Sequence, residues 1–267
     1  MTNTPMRLRA ASRPAAHKSY SEDLFGTAGH LTWVIDGATN PDGDPRDTIA
    51  YTRTLACTLG QLAAETSSLR DMLAKAITAA ARSAVPACDS AAFPSAAIGI
   101  LRHHPDGTGE AILLGDITLT YQPAGTSEPV SISDDRLNSI ATIERDRFIA
   151  ATTDQTVSSA QRLHLRRELV AAERACRNQP GGYWIASADP AAAAHALSFT
   201  LPPGTPALLR SDGADPAGHT DPARLLSDTS LNPAELLADI HASQLTAGQI
   251  TDDATIACMT AAEDTTD

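Results

Sequence analysis

The chain has 267 residues, of which 42% are hydrophobic but only 4% aromatic, so aliphatic residues and alanine must build its core. This length suits one large domain or two small ones. The formal net charge of −12 argues against a nucleic-acid groove or a face that binds an anionic membrane. No apolar run reaches the length of a membrane span, so we expect no membrane contact.

The beginning of the chain is basic and poor in acidic residues, and it lacks the apolar segment of a signal peptide. We therefore predict a flexible leader over residues 1–17, a single domain over 18–260 and an acidic tail over 261–267. The four cysteines (Cys57, Cys88, Cys176 and Cys258) are widely spaced and form no CxxC pair. This argues against a zinc site or a disulfide framework and predicts reduced thiols in a cytoplasmic protein.

Two amphipathic helices are predicted early in the domain, over residues 48–65 and 68–85. Ser68 and Asp71 have the spacing of a capping box at the start of the second helix. The further predicted elements, in chain order, are a hairpin of 96–102 and 111–121, a charged helix over 158–178, strands over 182–186 and 197–201, a helix over 233–244 and a last strand over 254–260. Strands in pairs with helices between the pairs favour antiparallel sheets with helical outer layers.

Acidic residues recur where these strand-like segments begin or end. An apolar run over 31–37 (LTWVIDG) ends in Asp36 and Gly37, and the runs AILLGD and PALLRSDG end at Asp116 and Asp212. The order is reversed in DDATIACM, which begins with Asp252. Each aspartate could simply cap a turn. If they converge, their mutual repulsion costs stability unless divalent cations are present, and carboxylate oxygens suit Mg²⁺ or Mn²⁺.

The order of five short motifs resembles a known family. Glu22-Asp23, VIDG, LLGD followed by Tyr121, LLRSDG and DDAT resemble the signatures of the PPM family, the metal-dependent type 2C serine/threonine protein phosphatases. The resemblance covers residues 18–259. It implies an α+β fold, a four-layer α-β-β-α sandwich in which two antiparallel β-sheets are flanked by helices, and an insertion over about 150–182 that forms a flap beside the active site.

The resemblance also implies a centre of two Mn²⁺ or Mg²⁺ ions with a third, weaker one. Asp36 is the candidate bridge between two ions, with the Gly37 carbonyl as a further ligand. The other implied ligands are Asp212 and Asp252 on the first ion, Glu22 on the second, Asp23 through water and Asp116 on the third. Asp36, Asp212 and Asp252 would act in catalysis through the water that the ions activate.

The sequence departs from the family pattern at several positions. Lys18 stands where the family has an arginine that binds phosphate, and lysine lacks the two-pronged fork of arginine. Ala38 stands where animal members carry a histidine proposed as general acid. The family's GDSR is reduced here to Gly115-Asp116-Ile117-Thr118.

The leading hypothesis is a Mg²⁺/Mn²⁺-dependent hydrolase of phosphoserine and phosphothreonine monoesters, so the partner would be a phosphorylated protein. One alternative is a phosphatase of a small phosphorylated metabolite. Another is a pseudophosphatase that acts as a regulatory binding module. A serine hydrolase and a nucleotide-binding enzyme are disfavoured because the chain lacks G-x-S-x-G, G-x-G-x-x-G and a P-loop. The sequence indicates no oligomeric state.

Overall fold

The computed structural model describes residues 6–84, 93–123, 125–126, 128–154, 156–214, 221–228 and 230–261. The strands in these ranges are β1 Met6–Arg13, β2 Leu24–Ala28, β3 Leu31–Gly37, β4 Ala96–His103, β5 Gly109–Leu114, β6 Thr118–Tyr121, β7 Val130–Ile132, β8 Leu197–Leu201, β9 Ala207–Arg210 and β10 Ala254–Ala261. The helices are α1 Pro45–Leu62, α2 Leu69–Ser83, α3 Thr142–Thr153, α4 Ser159–Ala175, α5 Pro222–Ser227 and α6 Pro233–Thr246.

The strands form two five-stranded sheets in which every neighbouring pair is antiparallel. Sheet I has the order β2-β3-β4-β5-β8, and sheet II has the order β1-β10-β9-β6-β7. The chain passes from sheet I to sheet II between β5 and β6. Asp116 lies in that crossing, so the predicted single strand over 111–121 is in fact two strands in different sheets.

Three apolar layers hold the sheets and helices together. On the outer face of sheet I, α1 and α2 bury Tyr51, Leu55, Leu59, Leu73 and Ile77. The layer between the sheets contains Val34, Leu101, Leu113, Leu119, Leu209 and Met259. On the outer face of sheet II, α5 and α6 contribute Leu225, Leu226, Leu237 and Ile240. Because each fully buried aliphatic side chain contributes roughly 1.5–3 kcal/mol, these layers are the main source of stability. The predicted four-layer α-β-β-α sandwich is confirmed.

Local signals in the sequence fix where the helices begin. The Ser68 Oγ accepts a hydrogen bond from the Asp71 backbone N–H at 3.1 Å, and it donates one to the Asp71 carboxylate at 2.7 Å. The N-cap half of the predicted capping box is therefore confirmed, while the Asp71 carboxylate bonds to the Ser68 hydroxyl in place of its backbone N–H. Asp44 caps α1 in the same way, since its Oδ1 accepts from the Arg46 N–H at 2.9 Å ahead of a helix that begins at Pro45.

The prediction of a flexible leader is wrong for residues 6–13. They form β1, an edge strand of sheet II that pairs with β10 over its whole length. Leu8 and Ala10 pack against the layer between the sheets. The guanidinium of Arg9 is buried and donates hydrogen bonds to the carbonyls of Leu225 at 3.3 Å and Leu231 at 3.1 Å. The arginines of this run alternate with apolar residues over only four positions, which is too short a stretch to show the two-residue period of a strand clearly.

The predicted strand over 182–186 is also wrong, because the segment makes only two isolated bridges, from Ala186 to Ala96 and from Tyr183 to Arg177. The segment is held instead by side-chain bonds of Asn178 to the backbone of Ile185. The acidic tail predicted over 261–267 lies outside the described residues, except for Ala261, which ends β10. None of the helices in the described ranges is long and apolar enough to cross a membrane.

Candidate active site

The predicted acidic residues lie at strand ends. Asp36 is the penultimate residue of β3, Asp212 comes two residues after the end of β9, and Asp252 comes two residues before the start of β10. Asp116 lies in the crossing from β5 to β6. These four side chains, from four separate segments, line one cavity of about 160 Å³. The structure thus brings together four of the six acids that the sequence singled out, whereas Glu22 and Asp23 do not line the cavity.

Burial and, after it, electrostatic repulsion act on the aspartates of this cavity. Burial, followed by the negative charges of its neighbours, raises the pKa of Asp36 well above its usual range, and the same causes act on Asp23. Burial and the charges of Asp116 and Asp252 raise the pKa of Asp212 to about 7. Asp36 and Asp212 are close enough to form a hydrogen bond between their carboxyl groups. The folded chain therefore concentrates acidic groups at a cost in free energy.

The oxygen donors of this cluster fit a divalent cation. The Asp23 Oδ2 and Glu22 Oε1 atoms are buried and have no hydrogen-bond partner in the described structure. A buried polar atom without a partner is costly, and a hard cation would satisfy it. Within the described ranges, however, no three His, Cys, Asp or Glu side chains already stand close enough to coordinate one ion. Small side-chain adjustments would therefore have to accompany the binding of an ion.

Lys18 is paired with acidic residues instead of pointing into the cavity. Its Nζ lies 2.7 Å from Glu22 Oε2, 3.1 Å from Asp253 Oδ2 and 3.2 Å from Thr39 Oγ1. An ammonium group has three donors, so these contacts use all of them. Burial by itself lowers the pKa of Lys18, but the hydrogen bonds and charges of Glu22 and Asp253 outweigh it and raise the pKa.

Asp253 is a residue of the site that the sequence analysis did not assign. Its Oδ1 accepts a hydrogen bond from the backbone N–H of Ala15 at 2.8 Å, and its Oδ2 accepts one from the N–H of Glu22 at the same distance. The Oδ2 atom also accepts the hydrogen bond from the Lys18 Nζ. Asp253 therefore fixes the segment that carries Glu22 and Asp23 against the start of β10. Its neighbour Asp252 remains free to line the cavity.

Helix α4 and the segment after it form a further wall of the cavity, in the region where the resemblance implies a flap, but the sequence analysis did not single out their side chains. This wall includes the arginines Arg166, Arg174 and Arg177 together with Tyr183 and Trp184. On α4, Arg166, Val170, Glu173 and Arg174 follow the spacing of one helical face. That face was visible in the sequence as a charged stripe, but its position against the cavity depends on the tertiary fold.

No protein-family model and no curated protein matches this sequence. Solved structures do match it. A serine/threonine phosphatase of S. agalactiae has a TM-score of 0.60 and 16% identity over 97% of this chain and 100% of its own. The PPM Ser-Thr phosphatase MsPP from Mycobacterium smegmatis, solved with cacodylate, has a TM-score of 0.53 and 16% identity over 96% and 98%. The catalytic domain of the serine/threonine protein phosphatase PstP, solved with two manganese ions, has a TM-score of 0.55 and 15% identity over 96% and 97%.

The chain has the PPM phosphatase fold. The likeness spans nearly the whole of both chains, and it agrees with the two antiparallel sheets and the helical outer layers. At these identities the comparison establishes the fold and leaves the activity to be argued from the site.

Two glycines allow the PPM fold to bring the acidic segments so close together here. A Cβ atom on Gly37 would lie 2.7 Å from the carbonyl oxygen of Glu22. A Cβ atom on Gly213 would lie only 2.0 Å from the carbonyl oxygen of Asp253. Each glycine follows a cavity aspartate, so the absence of a side chain lets neighbouring backbones approach that aspartate.

We expect Gly213→Ala to destabilise the protein by about 1–3 kcal/mol, because the added methyl must push the segments of Asp212 and Asp252 apart. Thermal unfolding measures this change, and calorimetric titration with Mn²⁺ should show weaker binding. Gly60→Ala is the control, since a methyl there meets its first neighbour at 3.8 Å within α1. Equal stability of the two variants would contradict the close approach at Gly213.

Proposed function

We propose that this chain is a Mg²⁺- or Mn²⁺-dependent phosphatase that hydrolyses phosphoserine and phosphothreonine monoesters in proteins. The observation that carries the proposal is the convergence of Asp36, Asp116, Asp212 and Asp252, from four strand ends, on one cavity. Supporting it, PstP, a phosphatase of the same fold, has been solved with two manganese ions. Divalent cations are the natural partners of such a buried group of carboxylates.

The proposed ligands are those that the PPM resemblance implies. Asp36 would contribute to two ions, together with the carbonyl of Gly37. Asp212 and Asp252 would hold the first ion, and Glu22 would hold the second through its Oε1, the oxygen that Lys18 leaves free. Asp116 is the proposed ligand of a third ion.

The bound cations would supply two things that hydrolysis of a phosphate monoester needs, an acidified water and charge neutralisation at the phosphoryl group. The protein's own residues do the rest. Asp23, buried behind the cavity and hydrogen-bonded to Ser211, would orient water around the centre. Lys18 and Thr39 hold the Glu22 carboxylate in place from the other side. Ala38 has no proton to give, so the leaving oxygen would take its proton from water.

The proposal is tested by hydrolysis of p-nitrophenyl phosphate with chelator-treated protein, to which Mn²⁺ or Mg²⁺ is returned. We expect no turnover without metal and turnover that saturates with added metal. The same assay with phosphoserine and phosphothreonine peptides, and with sugar and nucleotide phosphates, separates a protein phosphatase from a phosphatase of small metabolites. A folded protein that is inactive with both metals on every substrate would favour a pseudophosphatase.

A further inference from the structure

The substrate phosphate needs positive charge from the protein, and Lys18 does not offer it. The three donors of its ammonium group already meet Glu22, Asp253 and Thr39, and it is not part of the cavity wall. The arginines in the wall of the described cavity are Arg166, Arg174 and Arg177, all on α4 or just after it. They line the same cavity as the four strand-end aspartates.

The acids on the same wall do not neutralise these arginines. Asp134 forms its ion pair with Arg136, and Glu173 pairs with Arg145 at 2.9 Å. Both of those partner arginines lie outside the cavity lining. Asp42 acts on Arg174 through its charge but forms its ion pair with Arg167, so the described ion pairs leave the three wall arginines available to a ligand.

Two of the arginines also keep unused donors. The Nε atoms of Arg174 and Arg177 are buried and have no hydrogen-bond partner in the described part of the chain. Arg177 is held in place, since its Nη1 donates to the carbonyl of Phe93 at 3.2 Å and its side chain bonds to Tyr183. Each guanidinium thus has a fixed or partly buried position and an N–H group without an acceptor.

The two guanidinium groups are near enough to repel each other. Burial, followed by the charge of Arg177, lowers the pKa of Arg174. Two neighbouring cations, partly removed from water, are stabilised by an anion that accepts hydrogen bonds from both. A phosphate monoester carries such a charge and has several acceptor oxygens.

We propose that Arg174 and Arg177, with Arg166 beside them, form the binding site for the phosphoryl group of the substrate, in the place of Lys18. The ligand class is a phosphate monoester dianion whose oxygens accept from the arginine forks, while its other oxygens would be turned toward the cations proposed at Asp36 and Asp212. This inference rests on the proposed function for its substrate and names the residues that select it. It also gives α4, within the predicted flap over 150–182, a direct part in recognition.

The test is calorimetric titration of inorganic phosphate into the Mg²⁺-loaded full chain. We expect Arg174→Met and Arg177→Met each to weaken phosphate binding by about 10- to 100-fold, the usual effect of losing a hydrogen bond to a charged group. In kinetics with p-nitrophenyl phosphate, KM should rise more than kcat falls. Arg174→Lys and Arg177→Lys keep the charge but lose the fork, so they should recover only part of the affinity.

Arg147→Met is the matched control, because this arginine of α3 is exposed and lies outside the cavity. It should bind phosphate as the unmodified protein does. Unchanged phosphate affinity in the folded Arg174 and Arg177 variants would overturn the inference, as would a failure of the unmodified protein to bind phosphate. If phosphate binding depends on these arginines but the protein has no phosphatase activity, the proposed anion site is supported and only the proposed function is contradicted.

Discussion

Asp36→Ala is expected to reduce kcat/KM for p-nitrophenyl phosphate by on the order of 10³-fold. Asp36 is the one cavity acid proposed to serve two ions, so its loss affects the charge of the whole centre. A loss of about 4 kcal/mol of transition-state stabilisation corresponds to that factor at 1.36 kcal/mol per tenfold. Steady-state kinetics with saturating Mn²⁺ measures it, and Asp239→Ala, on the exposed face of α6, is the control that should change nothing.

A second substitution at Asp36 separates the loss of a metal ligand from the loss of the fold. Asp36→Asn keeps the shape of the side chain but removes a buried negative charge that Asp23 and Asp212 repel. The metal-free variant should therefore unfold at a higher temperature than the metal-free unmodified protein. Added Mn²⁺ should then stabilise the variant much less than it stabilises the unmodified protein. If Mn²⁺ raises the melting temperature of both proteins equally, Asp36 is not a ligand.

Lys18→Met is expected to cost about 3–5 kcal/mol of unfolding free energy, because it leaves the buried carboxylates of Glu22 and Asp253 without their cation. This is a large share of the roughly 5–15 kcal/mol that holds a typical domain folded. Urea denaturation of the metal-free protein at neutral pH measures it. Adding Glu22→Gln to Lys18→Met should recover part of the loss, because it removes one of the two unpaired charges and leaves one amide oxygen to accept from Thr39.

The chain provides an internal control for that experiment in its one other lysine. Lys75 pairs with Glu65 at 2.6 Å, but both side chains are largely exposed. Exposed ion pairs contribute about 0–1 kcal/mol, so Lys75→Met should have a small effect. If the two lysine variants are equally stable, the network around Lys18 is not the buried support that we infer.

The sequence was sufficient to predict the layers and the cavity acids, because both depend on local patterns. The apolar periodicity of α1 and α2 and the runs that end at Asp36 and Asp212 are contained in a few neighbouring residues. The four-layer sandwich was predicted through the family resemblance, and the structure confirms it. The metal roles of the acids stay predictions.

The features that the sequence analysis missed depend on contacts between distant segments. Strand β1 has a weak pattern of its own and is stabilised by β10, which lies more than two hundred residues later. Lys18 has the charge expected of a phosphate ligand, but its partner Asp253 comes from the other end of the chain. Likewise, nothing local distinguishes Arg174 on α4, or Arg177 just after it, from the neighbouring arginines of that helix. Only the packing of that helix against the cavity does so.

The central claim is that these strand-end carboxylates hold divalent cations. Anomalous diffraction from a crystal grown with Mn²⁺ tests it most directly, since the ions are located without reference to activity. We predict manganese peaks beside Asp36, with oxygens of Asp212 and Asp252 as ligands. Manganese bound only elsewhere, or a cavity without manganese in crystals of a protein that hydrolyses phosphate esters, would contradict the account.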